Sequence, residues 1–395
     1  MLSDNEACRN LIKETFRVLD SGVSKGLGTK PDPDLAAALR ENVFVFSGFK
    51  THAELEQAAQ LITDEKGVLK PFNQFLNDAK TINAEYNHNY LRSEYNQAVQ
   101  SAQIAAKWHD VQSRKKLVNL QYRTANDERV RAEHRRLHGV TLPVDDPFWK
   151  QFTPPLGWNC RCTIVEVLKD DYPESDSQGS IATATQITDK PKDKIFRFNP
   201  GIEKAVFPKR HPYFPKGCGE CKYKKLIFEN EKAICKACHK VDSASAKWSR
   251  ETVRNHYYKI LNGKTQKWEI NNGPVKEVKV SKSNIDVLVG KAHKYQFAKN
   301  MAIYYLKQLL IDTSKVVYIG SSDDIKGNAS KGHTPETIWH YYKLKFLHGY
   351  SYISIKEYNG ECIVHHIQDD EHFDEDKIKY KVPYSLKASK PTSCV

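Results

Sequence analysis

Residues 122–165 read YRTANDERVRAEHRRLHGVTLPVDDPFWKQFTPPLGWNCRCTIV, and this stretch decides how the first half of the chain is organised. Its Pro154-Pro155-Leu156-Gly157-Trp158-Asn159 run is a turn-rich approach to a short strand over Cys162–Leu168. Cys160 and Cys162 flank Arg161. Two thiolates one residue apart can face one ion only where the backbone kinks, which a loop permits.

The chain has 395 residues, enough for two or three domains with cores of their own. Hydrophobic residues make up 39% and no apolar run is long enough to span a bilayer, so no membrane partner is expected. The opening MLSDNEACRNLIKETF carries acids and lacks a basic-then-apolar leader, which points to synthesis in the cytosol. Of nine cysteines, two stand in CRC and four in two CxxC pairs. That grouping suits metal ligation in a reducing compartment better than a disulfide framework. Charge is uneven: residues 1–170 hold 23 Lys and Arg against 22 Asp and Glu, whereas residues 190–250 hold 16 against 6. A cluster of that sign favours a phosphate backbone or another polyanion.

The 122–165 stretch resembles the closing half of the phage Mu F-type minor head protein family. The matching residues are Arg123, Thr124, Asp127, Arg129, Arg131, His134, Gly139, the Asp145–Trp149 run, Pro154-Pro155 and Asn159-Cys160-Arg161-Cys162. The likeness extends upstream to about Asn42 and downstream through FNPGIEKAVFPKRHPYF, ending at Phe214. It implies a head-morphogenesis protein inside a tailed-phage capsid, made in the bacterial cytoplasm and carried in the virion, with portal and capsid proteins as partners. It also implies a zinc set in which an upstream CxxC pair joins CRC; here Arg131 and His134 stand at those positions. His134, Cys160 and Cys162 then remain as candidate ligands, with His138 as a doubtful fourth. The alternative is a hydrogen-bonded core in which Asp127 pairs with Arg129, His134 is satisfied and the thiols are buried. Both readings stay open on sequence.

The expected architecture is multidomain α+β. A helical extension covers 1–41, the Mu F-type domain 42–172, and a linker with the trailing segment 173–214. Within these, a helix is expected over 3–20, then a Gly/Pro-rich loop over 22–34 and a short strand over Asn42–Phe46. Thr51 and Glu54 form a capping-box pattern that predicts a helix from Thr51 to about Gly67. A further helix starts after Pro71, and a long one runs from about Ala84 to Lys115. The Ser/Thr/Asp-rich stretch over 173–193 reads as linker.

Cys218-Gly-Glu-Cys221 and Cys235-Lys-Ala-Cys238 are two knuckles separated by thirteen residues, the pattern of a zinc ribbon over 215–245. So short a segment cannot bury a core of its own, so structural zinc would supply its folding energy. Cys235-Lys-Ala-Cys238-His239 also fits haem attachment, but that would leave the other CxxC without a role. The surrounding Lys222, Lys224, Lys225, Lys232, Lys236 and Lys240 incline the segment toward nucleic acid.

Residues 252–395 read as a separate α+β domain. Asn284–Val289 is strand-like, a helix is expected from Lys291 to about Leu310, and Val316–Gly320 is a strand. Tyr350–Tyr358 and Glu361–Ile367 flank Asn359-Gly360, a type I′ hairpin turn. That turn puts Tyr358 opposite Glu361, Lys356 opposite Ile363 and Ser354 opposite His365. Ser354, Lys356 and His365 would share a polar face open to ligand, while Ile353, Ile355 and Val364 face the helix. This layout, attached to a Mu F-type domain, resembles the barnase–EndoU–colicin–RelE class of small nucleases, which implies RNA cleavage and an immunity protein as partner. Catalytic residues differ among branches of that class, so chemistry has to choose them. Cleavage through the 2′-hydroxyl needs a base, an acid and a cation. His293 with Lys291 or Lys294, and His365 with Lys356 and Ser354, supply those types, with His340 in reserve. The rival is a structural protein whose last domain binds portal, scaffold or DNA without catalysis.

Overall fold

The computed structural model describes residues 6–214, 236–323 and 337–380. Two compact units, Met1–Asp242 and Ser243–Val395, make up the chain.

The first unit is built on α1 (Glu6–Leu27), α2 (Pro33–Gln60), α3 (Phe72–Ala84) and α4 (Leu91–Val111). On α1, Ile12, Phe16, Leu19 and Val23 fall on one face and are all buried. α1 and α4 approach closely because small residues meet: a Cβ on Gly26 would lie 2.4 Å from the Val99 carbonyl oxygen and 2.6 Å from the Ala102 Cβ. Between α3 and α4 the segment Glu85–Tyr90 winds as a π-helix, so the expected long helix is continuous but changes register near its start.

α2 corrects the reading of residues 22–67. α1 runs on to Leu27, and the connecting loop shrinks to residues 28–32. Asp32 caps α2, its carboxylate accepting from the Leu35 amide at 2.8 Å, and Pro33 sits at the first helical position. The expected strand over Asn42–Phe46 lies in the middle of this helix. Val43, Phe44, Val45 and Phe46 are all buried, so the helix is covered all round there and shows no amphipathic period. Thr51 does not start a helix; its hydroxyl donates back to the Ser47 carbonyl at 3.0 Å, in mid-helix.

After α4 come β1 (Val118–Arg123), α5 (Ala132–Arg135), β2 (Thr141–Pro143), α6 (Phe148–Gln151) and β3 (Thr163–Leu168). The strands form an antiparallel sheet in the order β2-β1-β3. Tyr122, Phe148, Trp149, Phe152 and Ile164 centre its core, which also contains Cys160 and Cys162. The expected linker is instead partly helical: α7 (Ser177–Ile187), capped by Asp176, buries Ala184 and packs Ile181 and Ile187 on that core. The one-turn helices α8 (Pro191–Lys194) and α9 (Pro200–Glu203) follow.

α10 (Lys236–Leu261) runs through the division at residues 242 and 243. The second unit continues with β4 (Gln266–Glu269), β5 (Glu277–Val280), α11 (Lys282–Gly290), α12 (Gln296–Tyr304), α13 (Leu306–Ile311), β6 (Val316–Asp323), β7 (Ile338–Phe346), β8 (Gly349–Tyr358) and β9 (Glu361–Gln368). Its sheet has the order β4-β5-β9-β8-β7-β6 and is antiparallel except where β5 meets β9. Asn284–Val289 belongs to α11 and is not a strand. A reciprocal cap between Ser281 and Asn284 starts the helix, and this local cap decides between two readings of an apolar run. The helix expected from Lys291 begins only at Gln296 and breaks at Tyr305.

The β8–β9 hairpin turns at Asn359 and Gly360, with φ of 50° and 73°, as a type I′ turn requires. Its register runs as expected from Tyr358↔Glu361 to Ile355↔Val364. A β-bulge then intervenes, so Ser354 faces His366 and not His365. The polar face is not open over its whole length either. Phe373 stacks on Tyr352 at 4.1 Å, and Phe373 and Ile378 cover Trp339, Tyr341 and Tyr352.

Candidate functional site

In the first unit, α5 and the loop before β3 bring His134, Cys160 and Cys162 together, all buried. The His134 Nδ1 lies 3.6 Å from the Cys160 Sγ and 3.8 Å from the Cys162 Sγ. Zinc bond lengths at a tetrahedral angle separate such atoms by roughly 3.6 Å, so the three donors already stand at metal-binding spacing. The Cys160 thiol is held well below its usual pKa by the hydrogen bond shared with Cys162 and by His134. Cys162 is pushed up by the same shared bond and by burial. The fully buried Tyr122 hydroxyl faces this pair and interacts with the Cys162 thiol; burial and then the two thiols push its pKa well up.

The cluster draws on both sequence alternatives. His138, the doubtful fourth ligand, is committed elsewhere: its Nδ1 lies 2.8 Å from the Thr124 hydroxyl and 3.3 Å from the Thr124 amide. Asp127 pairs with Arg161, not with the Arg129 side chain: two guanidinium nitrogens reach its carboxylate at 2.6 and 2.5 Å, and Asp127 takes only the backbone amide of Arg129. Arg161 holds the Asp127 pKa down at about 2. The fork clamps the CRC loop to the turn before α5.

Of the four-cysteine segment, Cys218, Cys221 and Cys235 lie outside the described residues, and Cys238 falls in the opening turns of α10 with its side chain undescribed. The expected zinc ribbon therefore lies outside what the structure describes.

In the second unit, the five expected catalytic residues do not converge. His293 sits against the start of β8, with its Nε2 3.2 Å from the Ser351 hydroxyl. Its Nδ1 accepts the Tyr295 amide at 3.0 Å, so the proton is on Nε2 and the ring donates to Ser351. Burial holds its pKa down at about 4. Lys294 is ion-paired with Asp370 at 2.5 Å. Ser351 and Ser354 are three residues apart on an unbulged strand, hence on opposite faces of the sheet. His293 and Lys294 are accordingly separated from Ser354, Lys356 and His365 by the sheet. His340 is on the helix-covered face with Ile355, its Nε2 2.6 Å from a Glu357 carboxylate oxygen.

The bulge gathers what remains. The His365 ring lies 5.0 Å from Trp339, which is paired with Lys356, and 4.2 Å from the His366 ring. Both imidazoles thus flank the Ser354–Lys356 face of β8. Sequence alternation assigns His366 to the other face, because a one-residue bulge has no signature in VHHI; the adjacent histidines themselves were the only available hint.

The comparisons concern the first unit. A family model described as Phage Mu protein F like protein matches residues 54–165, from the last turns of α2 into β3. The putative capsid assembly protein F of Escherichia phage Mu is 33% identical over 109 residues, 27% of this chain and 22% of that protein. The Mu-like prophage FluMu F protein of Haemophilus influenzae is 46% identical over 43 residues, 11% of this chain and 10% of that protein. An uncharacterized protein of Methanocaldococcus jannaschii is 51% identical over 47 residues, 12% of this chain and 7% of that protein. The chain therefore spans less than a quarter of the length of each of these curated relatives. No solved structure gives a significant match. The family model and the two Mu F proteins together support a Phage Mu F-like assignment for the part of the chain that carries the His134–Cys160–Cys162 cluster.

Proposed function

We propose that the chain is a minor head protein of a phage or prophage, acting in head morphogenesis and carried inside the capsid. The observation that supports this is the match over residues 54–165 together with the capsid-assembly name of the phage Mu relative. Portal and capsid proteins are its partners in this reading. Co-expressed with the portal and major capsid protein of the same phage, the chain should co-sediment with assembled heads. Sedimentation only as free protein would refute the reading.

Metal is part of the proposal at two places. Cys218, Cys221, Cys235 and Cys238 would hold one structural zinc in the basic 215–245 segment, which would also touch nucleic acid. His134, Cys160 and Cys162 would hold a second ion, favoured by their donor spacing. Zinc there would tie the CRC loop to α5 and fix the approach to β3. Elemental analysis should find two zinc ions per chain, one lost on Cys218→Ser and the other on Cys160→Ser.

A specific observation also favours a nuclease reading of the second unit, the bulge that sets His365 and His366 beside Lys356 and Ser354. One imidazole would take the proton from the 2′-hydroxyl of RNA, the other would protonate the leaving oxygen, and Lys356 would balance the developing charge. His293, neutral and donating to Ser351, would position the start of β8. The full chain in EDTA should release RNA fragments ending in 2′,3′-cyclic phosphate, and His365→Ala should abolish this. Intact RNA would leave a domain that binds nucleic acid or head proteins without cleaving.

A further inference from the structure

A cavity of about 510 Å³ opens in the first unit between the end of α1, the face of α4, the turn before α5 and the CRC loop. Lys25, Arg129, Arg131 and Arg161 line it, with the buried His134 ring at the wall, and no carboxylate stands among its lining residues. Two of these cations are committed to structure. Arg161 is forked onto Asp127, and Arg131 donates to the Trp158 carbonyl at 2.6 Å. Lys25 and Arg129 are exposed and make no side-chain hydrogen bond among the described residues. Asp127, just outside the cleft, answers Arg161 and part of the Arg129 charge, which leaves the four cations with a net positive excess that an oxyanion between them would balance.

We infer that this cleft binds a phosphate group, presented either as inorganic phosphate or as a nucleoside monophosphate. The volume is that of a small-ligand site. The Lys25 ammonium and Arg129 guanidinium would grip the phosphate from opposite sides of the mouth. Tyr95 and, further along α4, Gln100 offer a ring and an amide of the kind that receive a nucleobase, while the adjacent Asn96 donates to the Asn159 Oδ1 at 2.9 Å. His134, Cys160 and Cys162 share the wall of this cleft, but the groups that would hold the phosphate are the cations and not the sulfur or imidazole donors.

The test is calorimetric titration of the full chain at low ionic strength, in EDTA, with inorganic phosphate, adenosine monophosphate and a hexaglutamate peptide. Saturable binding of a phosphate probe is expected, about tenfold weaker in Lys25→Gln and again in Arg129→Gln. Both substitutions are at exposed positions, and unchanged circular dichroism would confirm an intact fold. Tighter binding of the nucleotide than of phosphate would identify the nucleotide as ligand; equal binding would identify the bare phosphate. No binding would overturn the inference, as would binding indifferent to both substitutions, which would belong to the basic 190–250 stretch. Hexaglutamate binding tighter than either phosphate probe would overturn it in favour of an acidic protein partner.

Discussion

Lys50 is fully buried, donating to the Tyr86 carbonyl at 2.7 Å and forming an ion pair with Glu94, which is almost equally buried. The Tyr86 carbonyl also accepts the Leu91 amide across the π-turn, so the ammonium pins the irregular segment in place. A buried pair is costly to form, but costlier to break from one side. Lys50→Ala should therefore destabilise the first unit by about 3–5 kcal/mol, whereas Lys50→Met combined with Glu94→Leu should be near neutral; urea denaturation distinguishes the two. Histidine burial sets a second expectation. Burial holds His293 at about 4 and, with Lys50 nearby, His211 at about 3, both below the unfolded value. Between those values and about pH 6.5 the unfolded chain binds more protons, so stability should rise with pH across that window and level off above it. Denaturation midpoints at pH 4.5, 5.5, 6.5 and 7.5 would show the slope, and a flat profile would contradict neutral burial. At this scale the grouping of His134 with Cys160 and Cys162 was legible in the sequence, but the partner of Asp127 was not. A local Asp127–Arg129 pair looks natural along the chain, yet only Arg161 can present a planar fork from across the loop.

Among the elements, what the sequence revealed depended on whether one face stayed wet. β3 and the β8–β9 hairpin were readable because alternation and the Asn359-Gly360 turn are local signals. α2 was misread where Val43–Phe46 is buried on all sides, since β-branched and aromatic residues in a buried helix look like a strand. Asn284–Val289 was misread for another reason, since with Val287 exposed its apolar run is too short to show a helical period, and there the decisive signal was the cap at Ser281. The bulge at His365 was invisible because one inserted residue changes no composition, although it decides which imidazoles meet. The α1–α4 contact gives an element-scale prediction. Gly26 faces the Val99 carbonyl and the Ala102 methyl so closely that a Cβ has no room unless the helices part. Gly26→Ala should cost about 1–3 kcal/mol, despite the better helix propensity of alanine. A stabilised variant in thermal melts would mean that the two helices can separate freely.

For the whole molecule, two compact units of different construction share one chain: a helical body carrying a small antiparallel sheet, and a six-stranded mixed sheet with its own helices. The family match at residues 54–165 lies wholly in the first, so similarity concerns that unit and is silent on the second. Each unit has a buried centre of its own, Tyr122 and Trp149 in one, Trp268 and Tyr342 in the other. Chains of this kind unfold unit by unit unless an interface couples them. Scanning calorimetry of the full chain should accordingly resolve two transitions. Lys50→Ala should lower only one of them, because its network of Tyr86, Glu94 and the π-turn belongs to the first unit. Were both transitions to move together, the units would unfold as one cooperative body. The effect of a substitution near His134 could then reach the histidine pair on β9, and the head-assembly and nuclease readings could no longer be tested apart.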